Sequence, residues 1–202
     1  KALKFNFKSI KNIKKNSSIE NTLLGKNFFN PIGIAAGFDK DAEVYNSLFK
    51  LGFGFVEVGT ITPLKQYGNP KPRVFRLEED YALINRLGFN SSGSDKVHSR
   101  ITANLPEGLF GINIGPNKIT KNRVEDYLKC FRKFYNVADY ITINISSPNT
   151  ENLRELSSQE NLEFLLEKIS QKKVQLIDMY KKNTPIFVKL SPDEKEENLK
   201  NL

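Results

Sequence analysis

The residues best placed for chemistry are Asn113, Asn144 and Lys189, each near the end of a short apolar run. In the run 140–145, Ile141, Ile143 and Ile145 share one face of a strand, so Thr142 and Asn144 share the other. In 109–115, Ile112 and Ile114 oppose Asn113; in 186–190, Ile186, Val188 and Leu190 oppose Phe187 and Lys189. If the branched residues face covering helices, Asn113, Asn144 and Lys189 point inward. A buried polar group without a partner costs roughly 2–7 kcal/mol, so three on successive strands imply a large polar ligand between them. Asn offers both donor and acceptor, which suits the amide edges of a pyrimidine or isoalloxazine ring, and Lys189 suits negative charge on a reduced ring. The alternative is that these side chains hydrogen-bond one another or loop backbone.

Ala35, Ala36 and Gly37 lack bulk, which lets a planar ring approach the backbone closely or lets strand and helix pack tightly. Lys40 follows at a loop position suited to pairing with a carboxylate. Other chemistries are excluded. Gly52-Phe53-Gly54 precedes its strand instead of following it and fails the dinucleotide-binding context. There is no Gly-rich Lys-Ser/Thr phosphate loop, no CxxC and no His pair for a metal. His98, the single histidine, reads as a surface residue, which excludes a Ser-His-Asp triad within this segment. Cys130, the single cysteine, lies on the apolar stripe of a helix and reads as core; it excludes a disulfide framework.

These residues require a repeated strand–helix scaffold. Residues 32–37 lead into a helical pattern over 42–51; 53–60 forms a second strand; 109–115 leads into 124–135, 140–145 into 159–180, and 186–190 into a charged segment from Asp193. Strand then helix, repeated, signals βαβ units and a parallel sheet, whose sites lie at the carboxyl ends of the strands. Two hairpins interrupt the rhythm: Thr22-Leu23-Leu24 and Phe28-Phe29 around Gly25-Lys26-Asn27, and 73–77 with 81–84 around Glu78-Glu79-Asp80, ahead of a helix over 93–103. The first residues alternate at period 2 over 3–7 and then become basic. Five strand–helix units fit the front of a (β/α)₈ barrel or a complete doubly wound sheet, and spacing alone leaves both open. The last unit is unfinished, so the chain reads as the front part of a larger domain.

The chain has 202 residues, 39% of them hydrophobic and 27% charged, as in globular proteins. No apolar run approaches the roughly 18 residues of a spanning helix, and no targeting segment is visible. The net charge of +8 collects near residues 1–15 and 171–182 without interleaved aromatics. That pattern reads as solvated faces, with weak attraction to an anionic membrane as the alternative and no nucleic-acid partner.

With these residues assembled, the sequence resembles the dihydroorotate dehydrogenases. Five motifs carry the likeness in order: Asn30-Pro31-Ile32-Gly33-Ile34-Ala35-Ala36-Gly37-Phe38-Asp39-Lys40, Gly54-Phe55-Val56-Glu57-Val58-Gly59-Thr60-Ile61-Thr62-Pro63, Pro72-Arg73-Val74-Phe75-Arg76-Leu77, Ile84-Asn85-Arg86-Leu87-Gly88-Phe89-Asn90 and Asn144-Ile145-Ser146-Ser147-Pro148-Asn149-Thr150. The resemblance implies a TIM-type (β/α)₈ barrel, of which residues 30–202 supply about the first five strands, preceded over 1–29 by a basic segment and a barrel-capping hairpin. It implies FMN as cofactor, held by Ala35, Ala36, Gly37, Thr60, Asn113, Asn144 and Lys189. Lys40, Asn85, Gly88, Phe89, Asn90, Asn144 and Asn149 match positions around dihydroorotate or orotate. Ser147 matches the catalytic base, assisted by Thr150 and Phe89; a serine here, where the soluble class carries Cys, points to the class that reduces ubiquinone. Arg76 matches a position on the quinone tunnel.

The implied reaction oxidises (S)-dihydroorotate to orotate in pyrimidine biosynthesis. The implied location is the mitochondrial inner membrane for a eukaryotic source, reached through a helical segment that this sequence does not contain. The family's three further strands, with another ligand-binding Asn and the phosphate-holding glycines, are also outside it. Ala42 and Pro116 stand where many relatives have Gly and Lys. A soluble-class flavin dehydrogenase acting on a pyrimidine, or an inactive fragment, are the rival readings.

Overall fold

The computed structural model describes residues 18–23, 25–149, 153 and 158–193. The period-2 stretch over 3–7, Thr150 and the chain end beyond Asp193 lie outside the described residues. In chain order the elements are β1 (Asn21–Leu23), β2 (Lys26–Phe28), β3 (Gly33–Ile34), α1 (Tyr45–Lys50), β4 (Phe55–Ile61), β5 (Val74–Leu77), β6 (Ala82–Asn85), α2 (Ser94–Ala103), β7 (Leu109–Ile114), α3 (Arg123–Phe134), β8 (Tyr140–Asn144), α4 (Gln159–Tyr180) and β9 (Ile186–Lys189).

Five strands form one parallel sheet in the order β3-β4-β7-β8-β9. Each strand pairs with the next sheet strand in sequence, and the order never reverses. A doubly wound sheet reverses at its switch point, whereas a barrel winds onward, so the order decides the alternative that spacing left open. The chain supplies five consecutive strands of the (β/α)₈ barrel.

Alternation then sorts the side chains. Val56, Val58, Phe110, Ile112, Ile114, Ile141 and Ile143 are fully buried on the outer face, in one core with Tyr127, Cys130, Phe131 and Phe134 of α3. The α3 stripe is fixed at its start by Asn122, whose side chain accepts the Glu125 N–H at 3.0 Å, a cap worth about 1 kcal/mol. Glu57, Asn113, Thr142, Asn144 and Lys189 take the other face, as alternation requires. Gly111 belongs there too: a Cβ on it would lie 2.1 Å from the Tyr140 ring, so the missing side chain is what lets that ring fill the barrel interior.

Several boundaries differ from the sequence reading. Lys26 and Asn27 belong to β2 and not to the turn, because Leu23 pairs with Lys26 and Thr22 with Asn27. Only Gly33–Ile34 of the expected first strand joins the ladder, since the chain then peels away to form the Ala35–Lys40 wall. The first helix starts at Tyr45 and not at Ala42, which sits at φ 52°, a left-handed conformation no helix admits. His98 is half-buried rather than a free surface residue: its ring packs on Phe134 at 5.9 Å, and burial lowers its pKa. The β1–β2 hairpin lies at the amino ends of the strands, where Lys26 pairs with Asp139 at 3.0 Å and Phe28 meets Phe55 edge-on. The β5–β6 hairpin pairs as expected, from Val74–Asn85 to Leu77–Ala82.

Candidate active site

A cleft of about 390 Å³ opens at the carboxyl ends of the strands, a usual size for a small-molecule site. Its floor is polar. Thr60 Oγ1 donates to Asn113 Oδ1 at 2.6 Å, and Asn144 Nδ2 reaches Thr60 Oγ1 at 2.9 Å and Asn113 Oδ1 at 3.1 Å. Asn144 Oδ1 accepts the Ser146 hydroxyl at 2.8 Å and its N–H at 3.1 Å; Lys189 Nζ donates to Ser146 Oγ at 3.0 Å. The polar residues therefore hydrogen-bond one another, as the alternative reading had it. Lys189 and Asn144 nevertheless also line the cleft, while Asn113 is fully buried beneath them.

One wall is backbone. Ala36 and Gly37 line the cleft, and Gly37 N–H donates to the Gly59 carbonyl at 2.9 Å, which ties the wall to β4. At φ 112° Gly37 occupies the region that favours glycine. The turn after it is held by Asp39, whose carboxylate accepts the Glu43 and Val44 N–H groups at 2.8 Å each. Burial raises the Asp39 pKa, and those two bonds partly offset the rise. Lys40 lines the cleft, and burial lowers its pKa; no carboxylate among the described residues pairs with it. A desolvated ammonium of this kind gains most from an anionic group on a ligand.

The opposite wall comes from two loops. Asn85, Gly88 and Phe89 line it from the segment after β6, and Ser147 and Asn149 from the segment after β8. Asn149 N–H donates to Ser147 Oγ at 3.3 Å, and Asn149 Nδ2 to the Asn85 carbonyl at 3.4 Å, so the two loops meet across the cleft. Phe89 takes φ 51° and is held by Gln66, whose Nε2 donates to its carbonyl at 2.8 Å. Gln66 Oε1 in turn accepts from Asn117 Nδ2 at 2.9 Å. Asn69 works similarly: Nδ2 donates to the Asn149 carbonyl at 3.2 Å, and Gly88 leaves room for that carboxamide.

Of the residues expected at the site, Ala36, Gly37, Lys40, Thr60, Asn85, Gly88, Phe89, Asn144, Ser147, Asn149 and Lys189 line one cleft. Ala35 does not, and Arg76 stands apart on the exposed β5 strand. Asn90 lies behind the wall, where its Oδ1 is buried without a hydrogen-bond partner. Sequence reasoning missed Ser146 as the link to Lys189, Glu57 and Thr142 below the floor, and Gln66, Asn69 and Asn117 behind the loops. Glu57 could have been found by the alternation applied to Asn113; the three loop amides have no such signal.

The model of the family described as dihydroorotate dehydrogenase matches residues 18–202. The chain belongs to the dihydroorotate dehydrogenase family.

Similar proteins named dihydroorotate dehydrogenase (quinone) include one from Bartonella henselae, 50% identical over 178 residues, covering 88% of this chain and 49% of the relative. One from Rhizobium etli is 47% identical over 181 residues, covering 90% and 50%. The crystal structure of DHODH from Eimeria tenella in complex with ferulenol superposes with a TM-score of 0.91 at 36% identity, covering 99% of this chain and 59% of that one. Its ligand-free form gives 0.86 at 38%, covering 94% and 58%. These relatives are named for the quinone class, the class to which a serine at position 147 points by resemblance. The chain spans about half the length of the curated relatives it matches. Among the described residues no helix is long and apolar enough to cross a membrane, and no group of three or more His, Cys, Asp or Glu residues is placed to hold a metal ion.

Proposed function

We propose that this chain builds the front of an active site that oxidises (S)-dihydroorotate to orotate, with FMN and a quinone as electron acceptors, in pyrimidine biosynthesis. The observation that carries the reading is Lys40, a desolvated ammonium with no salt bridge among the described residues, facing the same cleft as Ser147, Asn144 and Lys189. A small anionic pyrimidine supplies the negative charge that Lys40 faces.

The residues present fit FMN: a side-chain-free wall at Ala36–Gly37, a floor of carboxamides, and a cation at Lys189. Ala36, Gly37, Thr60, Asn144 and Lys189 would hold it, with Asn113 acting from below and Ala35 supporting the wall. When bound, FMN supplies the acceptor for the hydride leaving substrate C6 and passes the two electrons to a quinone. Lys40 pairs with the substrate carboxylate. Asn85, Asn144 and Asn149 match the amide edges of the ring, and the Gly88–Phe89–Asn90 segment shapes the pocket around it. Ser147 Oγ takes the C5 proton while its own proton moves on toward solvent. A serine hydroxyl is a weak base at neutral pH, so it needs assistance. The Asn149 N–H aimed at Oγ stabilises the oxygen as its proton leaves, and the family resemblance assigns Thr150 and Phe89 to assist it.

Arg76 on β5 is our proposed quinone contact. It lies across from exposed Leu83, so this face of the hairpin offers a cation beside an apolar side chain for the quinone carbonyls. Ubiquinone is the acceptor we propose, reached at a membrane surface through a segment outside this sequence, with no nucleic-acid partner. The mitochondrial inner membrane is the location only for a eukaryotic source, and the bacterial relatives do not support it. Residues 1–29 act as a basic segment and cap below a barrel domain over 30–202. Acceptor assays on the holoenzyme test the reading. Dihydroorotate-dependent reduction of a ubiquinone analogue is expected; turnover with fumarate or NAD alone would assign the soluble class, and a protein that takes up no FMN would refute the proposal.

A further inference from the structure

Beneath the cleft lies a carboxylate to which neither the sequence reading nor the mechanism above gives a role. Glu57 sits on β4, one inward position before Gly59, and both of its oxygens are engaged. Oε1 accepts Asn113 Nδ2 at 2.8 Å, and Oε2 accepts Thr142 Oγ1 at 3.0 Å. A carboxylate can only accept, so Asn113 must turn its NH₂ downward and its Oδ1 upward. That Oδ1 then takes Thr60 Oγ1 and Asn144 Nδ2. With its NH₂ committed, Asn144 turns Oδ1 toward Ser146, and the Ser146 hydroxyl, having given its proton, accepts from Lys189. Every donor in the chain therefore points the same way, from the Lys189 ammonium to the Glu57 carboxylate. Asn113 could flip at little cost in shape, and the acceptor-only end forbids it; Asn144 is held from the other end by the Ser146 N–H and the Lys189 ammonium, which only donate. The charge of Glu57 is also felt nearby, where burial first and this carboxylate second raise the Tyr140 pKa.

We propose that Glu57 is a positioning residue that holds Asn113 in the one donor–acceptor sense the flavin-binding floor allows, with its Oδ1 presented to Thr60 and Asn144. The inference rests on the flavin reading above. Its consequence is that the floor offers a ring edge one hydrogen-bonding pattern and not its inverse.

The test compares Glu57→Gln with Thr142→Val in the holoenzyme, stripped of flavin and titrated with FMN by fluorescence. Glutamine keeps the shape but can offer Asn113 a donor, which lets Asn113 turn its NH₂ against the Asn144 NH₂ and breaks the chain at that joint. FMN affinity should fall about tenfold or more in Glu57→Gln, the loss expected when a charge-assisted bond is replaced. Thr142→Val removes another bond to Glu57, which keeps its contact with the Tyr140 hydroxyl, and leaves Asn113 oriented, so its affinity should stay within about twofold. Equal losses in both variants would make Glu57 a packing residue and overturn the inference, as would wild-type affinity in Glu57→Gln. Should Glu57→Gln not fold, Glu57→Asp keeps the acceptor-only end and should retain affinity within about threefold; a tenfold loss there overturns the inference. A flavin-free measurement separates this inference from the functional reading. In protein labelled with ¹⁵N-asparagine, Glu57→Gln should shift the side-chain amide signals of both Asn113 and Asn144. A shift confined to Asn113 refutes the relay, whereas wild-type protein that takes up no FMN refutes the proposed function and leaves the amide signals to decide the relay.

Discussion

Gly115→Ala is a demanding test of how the site is packed. A Cβ on Gly115 would lie 2.7 Å from Thr60 Cγ2 and 2.8 Å from Phe89 Cε2, both below the 3.0 Å that real Cβ contacts respect. Neither neighbour yields freely. Thr60 is tied through its hydroxyl to Asn113 and Asn144, and the Phe89 carbonyl is held by Gln66. To reach ordinary contact each must retreat by about 0.6–0.7 Å, an overpacking that typically costs about 1–3 kcal/mol. For a domain of this size that corresponds to a melting temperature lower by about 2–12 °C. Because Thr60 and Phe89 both line the cleft, ligand affinity should fall along with stability. Calorimetry with a parallel FMN and orotate titration measures both. A variant with wild-type melting temperature and affinities would refute the packing argument.

Three further outcomes follow from the same geometry. Burial lowers the Lys40 pKa, so its ammonium is lost at a lower pH than an ordinary lysine's; orotate affinity should fall as pH rises through that lowered value, and Lys40→Met should remove this dependence in a titration series. For stability the sign is opposite: a lysine depressed in the fold destabilises the folded state at pH below its folded pKa, so denaturant melts should show stability gained, not lost, as pH climbs from there toward 10.5. Asn69→Ala removes the bond to the Asn149 carbonyl, worth about 1 kcal/mol, and should weaken orotate binding about fivefold while leaving FMN affinity unchanged in the same titrations.

Much of the fold was legible in the sequence because period-2 alternation and strand–helix spacing are local. The inward side of β7, β8 and β9 follows from one isoleucine pattern, and it correctly put Asn113, Asn144 and Lys189 on the interior face. Spacing could not choose between barrel and doubly wound sheet, since strand order is a long-range property; that choice came from the family resemblance and is met by the unreversed order of the sheet. Short edges were the weakest part. β3 keeps only two residues in its ladder because the chain must leave the sheet to form the Ala36–Gly37 wall, a demand of the site and not of strand propensity. Ala42 reads as a good helix residue, yet the turn held by Asp39 drives it to positive φ. The site itself was legible where motifs are continuous, as in Asn85–Asn90 and Asn144–Asn149. Gln66, Asn69 and Asn117 were not, because loop amides that hold another loop's backbone leave no periodic trace. Glu57 was hidden differently: it has the right parity, but a carboxylate in an apolar strand shows its purpose only once Asn113 is seen above it.

The central claim is that this cleft holds dihydroorotate against a flavin with Ser147 as the base. Mixing the oxygen-free holoenzyme with dihydroorotate in a stopped-flow instrument and following the loss of flavin absorbance near neutral pH tests it directly. Rapid bleaching is expected in the wild type; Ser147→Ala should retain the yellow flavin but bleach about 10²-fold more slowly or worse, the usual contribution of a general base. Bleaching of the Ser147→Ala enzyme at the wild-type rate would contradict the account.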